Sequence, residues 1–261
     1  MDEYVLLREE VEPGIVRLVL NRPEKLNALS TPLVRALEAE LDAIACDNAV
    51  RVVILTGSSD RAFVAGADIA EYHGNHTKAF AEYQFESRRV FDKLEALSKP
   101  TIAAIRGYAL GGGFELALCC DIIICATSAR LGLPEGLLGL SPGGGGTQRL
   151  TRAVGKHSAS DIMLAARRIT GERAYQLGLA AAVVSDEELM QTAVERARAV
   201  LKVAPLAAAE MKRLIRQGPD SALPTSLAFE QEVLLRLYGT KDGQEGIDAF
   251  RLKRDPEFKG E

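Results

Sequence analysis

The sequence predicts an α/β fold in which helices cover the faces of a β-sheet. Strand-like and helix-like segments alternate between residues 15 and 126. The strand-like segments are apolar and rich in β-branched residues, as expected where both sheet faces are covered. Proline, glycine or asparagine marks several of their ends.

The first predicted strand covers residues 15–20 and is broken by the Asn-Arg-Pro-Glu sequence that follows. Apolar residues at helical spacing predict a helix over 31–46, with Thr31 as its N-cap and Pro32 in its first turn. A β-branched segment over 50–56 then predicts the second strand.

The next elements repeat this order. Residues 90–97 are predicted to form the last part of a second helix, and a strand is predicted at 101–105. Three glycines at 111–113 lead into another helix, and residues 121–126 predict a further buried strand.

From Asp186 onward only helical patterns occur, with Asp186 as the expected N-cap of the first. Short helices with apolar faces at a chain end often pack on another subunit, although they can also cap their own core. We therefore divide the chain into a core that carries the site, 1–195, and a helical self-association segment, 196–261. The helices are expected at 186–203, 205–217, about 225–238 and 243–254.

Composition limits the possible partners. The 261 residues carry a net charge of −4, so no overall basic field favours nucleic acid or an anionic membrane. No apolar run reaches the roughly 18 residues that cross a bilayer, and no targeting pattern opens the chain. The four cysteines are expected to be small buried residues in a reducing compartment. We expect a soluble, cytoplasmic protein.

The glycine triplet 111–113 is the strongest local signal for a site. Consecutive glycines after a strand indicate a turn whose backbone approaches another group closely. The N–H groups at the start of the following helix attract developing negative charge, and Glu115 lies just inside that helix. The pattern is typical of an oxyanion site with a general acid or base, or of a plain flexible turn.

Two other segments could contribute to such a site. Small residues at 65–67 allow a ligand to approach the backbone. Glu135 precedes the four-glycine loop 143–146, which opens another helix. This loop lacks both the Gly-Lys-Ser/Thr ending of a phosphate-binding P-loop and the glycine register of a dinucleotide site. His73 and His76 could share a zinc ion, but no third ligand is evident, and we expect no metal.

Together these segments resemble the enoyl-CoA hydratase/isomerase (crotonase) superfamily, and most closely its hydratase branch. The resemblance covers residues 13–258, with the pieces in the family's order and spacing. The matching pieces are Asn21-Arg22-Pro23, Asn27-Ala28-Leu29, 63–69, 107–117, 120–123, Pro134-Glu135 and 142–151.

The resemblance implies a spiral of β-β-α turns followed by a helical trimerisation segment, with trimers often paired into hexamers. It also implies that the N–H groups of Ala67 and Gly112 hold a thioester carbonyl oxygen as it becomes an enolate. Such donors suit a developing oxyanion because they add no steric bulk.

The two carboxylates indicate the reaction. Hydratases of this family carry both acids, whereas isomerases commonly keep one, and here Glu115 and Glu135 are both present. The resemblance implies that Glu115 deprotonates water while Glu135 protonates C2 of a trans-2-enoyl-CoA. The product is a (3S)-3-hydroxyacyl-CoA, as in β-oxidation, and no metal or redox cofactor is expected.

The resemblance also implies which residues contact the coenzyme A moiety. From the same subunit they are Lys25, Leu26, Ala28, Ala65, Asp68 and Ile69, and from a neighbouring subunit Phe250 and Lys253. For Lys253 a solvated helix face remains an equal alternative, since Arg251 and Arg254 make a generic basic cluster.

Other readings stay open. Phe114 and Leu133 depart from the commonest hydratase pattern and leave the acyl group uncertain. Isomerisation, or hydration of a branched, dicarboxylic or aromatic-derived acyl-CoA, is the alternative enzymatic reading. A scaffold or RNA-binding role is the alternative from another class, which the absence of a basic stripe disfavours. The segment 71–89 is expected to border the acyl pocket.

Overall fold

The computed structural model describes residues 4–71 and 77–261. Its strands are β1 Leu6–Glu12, β2 Ile15–Leu20, β3 Val52–Gly57, β4 Ala62–Val64, β5 Thr101–Ile105, β6 Tyr108–Leu110, β7 Ile122–Ala126, β8 Arg130–Gly132, β9 Ile169–Thr170 and β10 Ala182–Val184. Its helices are α1 Thr31–Cys46, α2 Thr77–Ala96, α3 Gly112–Leu118, α4 Gly146–Leu164, α5 Gly171–Gln176, α6 Leu189–Leu201, α7 Pro205–Gln217, α8 Leu223–Tyr238 and α9 Lys241–Leu252.

The strands form two sheets. The larger has the order β1-β2-β3-β5-β7-β10, in which β1 is antiparallel to β2 and the remaining pairs are parallel. The smaller has the order β4-β6-β8-β9. The chain therefore repeats one unit: a strand in the large sheet, a short strand in the small sheet, and a helix. This repeat, β3-β4-α2, β5-β6-α3 and β7-β8-α4, confirms the predicted spiral of β-β-α turns.

The central strands β2, β3, β5 and β7 are buried on both faces of the large sheet, where successive side chains point to opposite sides. On β3, Val52 and Ile54 face α6, where Ala193 and Ala197 allow close packing. The intervening residues of β3 belong to the larger core, which is built with α1, α2 and α3. This two-sided burial explains the continuous apolar runs in the sequence.

Helix α1 has the predicted bounds but a different N-cap. Ser30 is extended, and its hydroxyl accepts a hydrogen bond from the Leu33 N–H at 3.3 Å. Thr31 is the first helical residue, and its N–H and hydroxyl both donate to Glu71 at 2.7 Å. The predicted cap was thus wrong by one residue, since serine fills the capping role equally well.

The predicted N-cap at Asp186 is also wrong. The Asp186 carboxylate accepts hydrogen bonds from the N–H of Ser128 at 3.2 Å and from its hydroxyl at 2.5 Å. Helix α6 begins later, at Leu189, with Glu188 in the capping position. The Asp186 carboxylate therefore binds Ser128, which is distant in the sequence, instead of capping the helix that follows it.

The C-terminal helices continue from α6. The expected boundary at 195/196 falls inside α6, whose residues on both sides pack on the large sheet. Helix α7 is fixed to the core by Lys212, whose ammonium lies 2.7 Å from the Asp121 carboxylate. Helices α8 and α9 pack on one another and leave large apolar side chains exposed. These are Leu223, Leu227, Leu234, Leu235, Tyr238, Ile247, Phe250 and Leu252.

All four cysteines are free thiols. Cys119, Cys120 and Cys125 are buried as expected, but Cys46 is exposed at the end of α1, so that part of the prediction was wrong. Within residues 4–71 and 77–261, no helix is both long and apolar enough to span a bilayer.

Candidate active site

The backbone segments that carry Ala67 and Gly112 lie close together where the small sheet borders α3. Gly112 is the first residue of α3, and a Cβ built on it would lie 3.8 Å from the Ala67 nitrogen. Leu29 lies opposite Ala67 in an isolated β-bridge. The Leu29 N–H donates to the Gly66 carbonyl at 2.8 Å, and the Leu29 carbonyl accepts a hydrogen bond from the Asp68 N–H at 2.9 Å. This pairing directs the Ala67 N–H to the opposite side. Within the described chain neither the Ala67 N–H nor the Gly112 N–H has an acceptor.

Glycine is required where the two turns approach one another. Gly66 has φ +120° and Gly111 has φ +50°, conformations that L side chains rarely adopt. A Cβ on Gly111 would also lie only 3.3 Å from Oε1 of Glu135. The glycines therefore allow the amide pair and a carboxyl group to lie together.

Glu115 lies one turn after Gly112 on α3 and is almost completely buried. Its Oε1 accepts a hydrogen bond from the Gly146 N–H at 2.7 Å. Burial raises the pKa of Glu115, while the N–H groups of Gly146 and Gly144 and the charge of Arg149 act in the opposite direction. The four-glycine loop is thus a cradle for this carboxylate rather than a phosphate site.

Glu135 opens a short 3₁₀ helix, Glu135–Leu138, directly after Pro134. Its Oε2 is buried and has no hydrogen-bond partner among the residues that the structure describes. Burial, aided by the charge of Glu115, raises its pKa from the usual 4.5 to about 7. At neutral pH this carboxyl group can therefore both donate and accept a proton.

The arrangement combines two chemical capabilities. The paired N–H groups of Ala67 and Gly112 can stabilise an oxygen as it gains negative charge. Glu115 and Glu135 interact electrostatically with one another, and their pKa values are set by unlike surroundings. Such a pair suits two coordinated proton transfers beside an oxyanion.

The structure brings most of the nominated coenzyme A residues to one rim of this site. The Ala65 N–H donates to the Leu26 carbonyl at 3.0 Å, which joins the two nominated segments. Lys25 and Ile69 are exposed beside them, and Ala28 is half-buried. Phe250 and Lys253 lie elsewhere, exposed at the end of α9, which packs on α8.

Arg22 is a contributor that the sequence did not identify. Its guanidinium donates to the Ala28 carbonyl at 2.6 Å and pairs with Asp68 at 2.9 Å. Asp68 therefore uses one carboxylate oxygen to hold the turn after Ala67. The Asn-Arg-Pro motif marked Arg22 in the sequence. The motif alone does not show that Arg22 pairs with Asp68, 46 residues away.

The structure places no cluster of three or more His, Cys, Asp or Glu side chains in position for a metal ion within its described ranges. His73 and His76, the pair considered for zinc, lie outside those ranges.

Comparison with known proteins agrees with the geometry. The profile of the family described as Enoyl-CoA hydratase/isomerase matches residues 10–261. The 2,3-dehydroadipyl-CoA hydratase of Escherichia coli is 41% identical over 261 residues, with all of both chains covered. The short-chain-enoyl-CoA hydratase of Clostridium acetobutylicum is 40% identical over 250 residues, covering 96% of this chain and 95% of the relative.

Solved structures give the same result. The crystal structure of an enoyl-CoA hydratase from Bacillus anthracis superimposes with a TM-score of 0.96 at 39% identity, covering 98% of this chain and 100% of that chain. The sequence match, the shared fold and the residues gathered around Gly112 lead to one conclusion. The chain belongs to the enoyl-CoA hydratase/isomerase family.

Proposed function

We propose that this protein is an enoyl-CoA hydratase, a hydro-lyase that adds water reversibly across the C2=C3 bond of a trans-2-enoyl-CoA. One observation carries the proposal: two carboxyl groups in unlike environments flank a pair of unused backbone N–H groups. The names of the relatives from E. coli and C. acetobutylicum, both hydratases, support the same reaction.

In the proposed reaction the thioester oxygen accepts hydrogen bonds from Ala67 and Gly112. Ionised Glu115, held by the Gly146 N–H, takes a proton from water as the water oxygen bonds to C3. The C2=C3 electron pair moves onto the thioester as an enolate, which the two N–H groups stabilise. Protonated Glu135 then gives its proton to C2 on the same face, yielding the (3S)-3-hydroxyacyl-CoA.

The two environments support this division of roles. Burial raises the pKa of Glu115, but four groups, the Gly146 and Gly144 N–H groups, Arg149 and Arg88, act to favour its ionised form. Glu135 has an unpartnered oxygen and a pKa of about 7, so a protonated population exists at neutral pH. Both steps are proton transfers, and the proposed reaction therefore requires no metal or redox cofactor.

The coenzyme A moiety is proposed to lie on the rim nominated above. Lys25, Leu26, Ala28, Ala65, Asp68 and Ile69 would contact it from one subunit, and Phe250 and Lys253 from a neighbour. The exposed apolar side chains of α8 and α9 support self-association as a trimer or a dimer of trimers. Free buried thiols support a reducing, cytoplasmic setting, and β-oxidation is the pathway type proposed.

The decisive test mixes the protein with crotonyl-CoA and follows the absorbance of the conjugated enoyl thioester. We expect the absorbance to fall and chiral chromatography to identify (3S)-3-hydroxybutyryl-CoA. No change across short, branched and dicarboxylic enoyl-CoAs would refute the proposal. A 3-enoyl-CoA that becomes conjugated without hydration would instead support the isomerase alternative, and RNA binding without turnover would support the non-catalytic one.

A further inference from the structure

Arg149 lies on α4, one turn beyond the glycine loop, and forms a fixed bridge to α2. Its Nε and Nη2 donate to the two oxygens of Glu95 at 2.9 and 2.8 Å, and Nη2 also reaches Asp92 at 2.9 Å. The remaining terminal nitrogen, Nη1, donates to the Gly144 carbonyl at 2.7 Å. Only 13% of this side chain is exposed, so the guanidinium has one well-defined position.

The turn that Arg149 holds is the one that holds Glu115. Gly146 donates its N–H to Oε1 of Glu115, and the Gly144 N–H also interacts with this carboxylate. The turn has little room to move: a Cβ on Gly144 would lie 2.6 Å from the Phe91 ring and 2.7 Å from Oε2 of Glu115. Thus α2, Arg149, the glycine turn and Glu115 form one continuous set of contacts.

We propose that Arg149 is a positioning residue, which fixes the Gly144–Gly146 turn so that its N–H groups hold the Glu115 carboxylate ready to take a proton from water. This inference rests on the proposed function and assigns to the side chain a task beyond joining two helices. Arg149 does not touch the substrate in this account; it acts through the turn.

The charges around the two groups support this task. Glu115 faces Arg149 on α4, Arg88 on α2 and Glu135 on the 3₁₀ helix. Arg149 itself faces Glu95 and Asp92, along with the thiol of Cys119, the residue that follows α3. Burial acts to lower the pKa of Arg149, but its hydrogen bonds to Glu95 and the nearby negative charge outweigh burial and raise it. The guanidinium is therefore a permanent cation beside the carboxylate.

The sign of the effect follows directly. Loss of the cation and loosening of the two N–H donors both destabilise ionised Glu115, so its pKa must rise. If Glu115 acts as the base, the acid limb of the kcat–pH profile must then move to higher pH. A residue that served only to hold the fold together would lower the amount of active protein without moving this limb.

The test compares Arg149→Met with Arg152→Met. Arg152 is a matched control on the same helix, where it is exposed and pairs with exposed Asp220. For Arg149→Met we expect kcat to fall about 10- to 100-fold, with a small change in KM, because a misplaced base slows the chemical step. We also expect the acid limb to rise by about 0.5–1 pH unit. Arg152→Met should retain the wild-type kcat and the wild-type position of the acid limb of the kcat–pH profile.

A second readout does not depend on turnover. Infrared titration of the unliganded protein, with Glu115→Gln subtracted, reports ionisation of the Glu115 carboxyl group. The midpoint of this titration should move to higher pH in Arg149→Met. It should move less in Arg149→Lys, because lysine keeps the positive charge but loses the planar guanidinium that binds Glu95 through two nitrogens. An unmoved titration would overturn the inference even if the wild type is a hydratase. A moved titration in a protein that hydrates no enoyl-CoA would uphold the contact but refute the proposed function.

If Arg149→Met does not fold, Arg149→Lys decides the matter alone. Reduced kcat with a raised acid limb supports the inference. Wild-type values of both would overturn it, because the bidentate geometry would then be dispensable.

Discussion

Glu135→Gln is expected to lower kcat by about 10²–10⁴-fold yet stabilise the folded protein at alkaline pH. The carboxyl group has an ordinary pKa of 4.5 and a folded-state pKa of about 7. Below pH 4.5 both states are protonated, and the group contributes no difference in free energy. Above pH 7 both are ionised, and the folded state bears the cost of a partly buried carboxylate.

The magnitude follows from that difference in pKa. At 1.36 kcal/mol per pH unit, a rise of about 2.5 units corresponds to a cost of at most ~3.4 kcal/mol. Because Glu135 is only partly buried, solvent screening reduces this value, and we expect about 1–2 kcal/mol. Glutamine mimics the neutral acid, and Oε2 of Glu135 has no partner in the described chain to lose.

Urea unfolding at pH 5 and pH 8.5, at one protein concentration, measures the effect. The free energy of unfolding of Glu135→Gln should exceed that of the wild type at pH 8.5, and the gain should shrink at pH 5. Glu187→Gln, at an exposed position on the loop before α6, is the control and should show no such gain. An equal difference at both pH values, or a loss at pH 8.5, would refute the reasoning.

Two further substitutions test the scaffold around the amide pair. Gly113→Ala should destabilise the protein by about 1–3 kcal/mol or more, since its Cβ would lie 2.2 Å from the Val64 carbonyl oxygen. Gly136→Ala has nothing within 4 Å of its Cβ and should be nearly neutral in the same urea series. Arg22→Met should lower kcat about tenfold or more by loosening the turn that carries Ala67. Steady-state kinetics with unchanged kcat would show that this turn needs no such support.

Much of the fold could be predicted because its signals are local. The apolar spacing of 31–46 and the β-branched runs at 15–20 and 101–105 gave elements that match the structure. The strands of the small sheet were missed. β4, β6 and β8 have three residues each, which is too short for a period-two pattern.

Two further errors concern side chains whose surroundings are set by the tertiary fold. Asp186 has the chemistry of an N-cap but pairs with Ser128, 58 residues earlier. Cys46 closes an amphipathic helix yet falls on its exposed side. In neither case does the local sequence show what will surround the side chain in the fold.

The glycines and the two glutamates made the candidate site predictable from the sequence. The structure adds the contacts between segments that are distant in the sequence. The sequence indicated that Gly112 and Glu115 share a turn and helix. It did not show that the glycine loop 143–146 holds Glu115, or that Arg149 holds that loop. The Gly146–Glu115 contact joins residues 31 positions apart, and the Arg149–Glu95 contact that anchors the loop to α2 joins residues 54 positions apart.

The central claim is that Glu115 and Glu135 each transfer a proton in the hydration of an enoyl-CoA. The most direct measurement is kcat for crotonyl-CoA hydration by the wild type, Glu115→Gln and Glu135→Gln, each confirmed as folded. Each variant should lose about 10²–10⁴-fold in kcat, because each lacks one proton-transfer group. Near-wild-type kcat in either folded variant would contradict the claim for that residue.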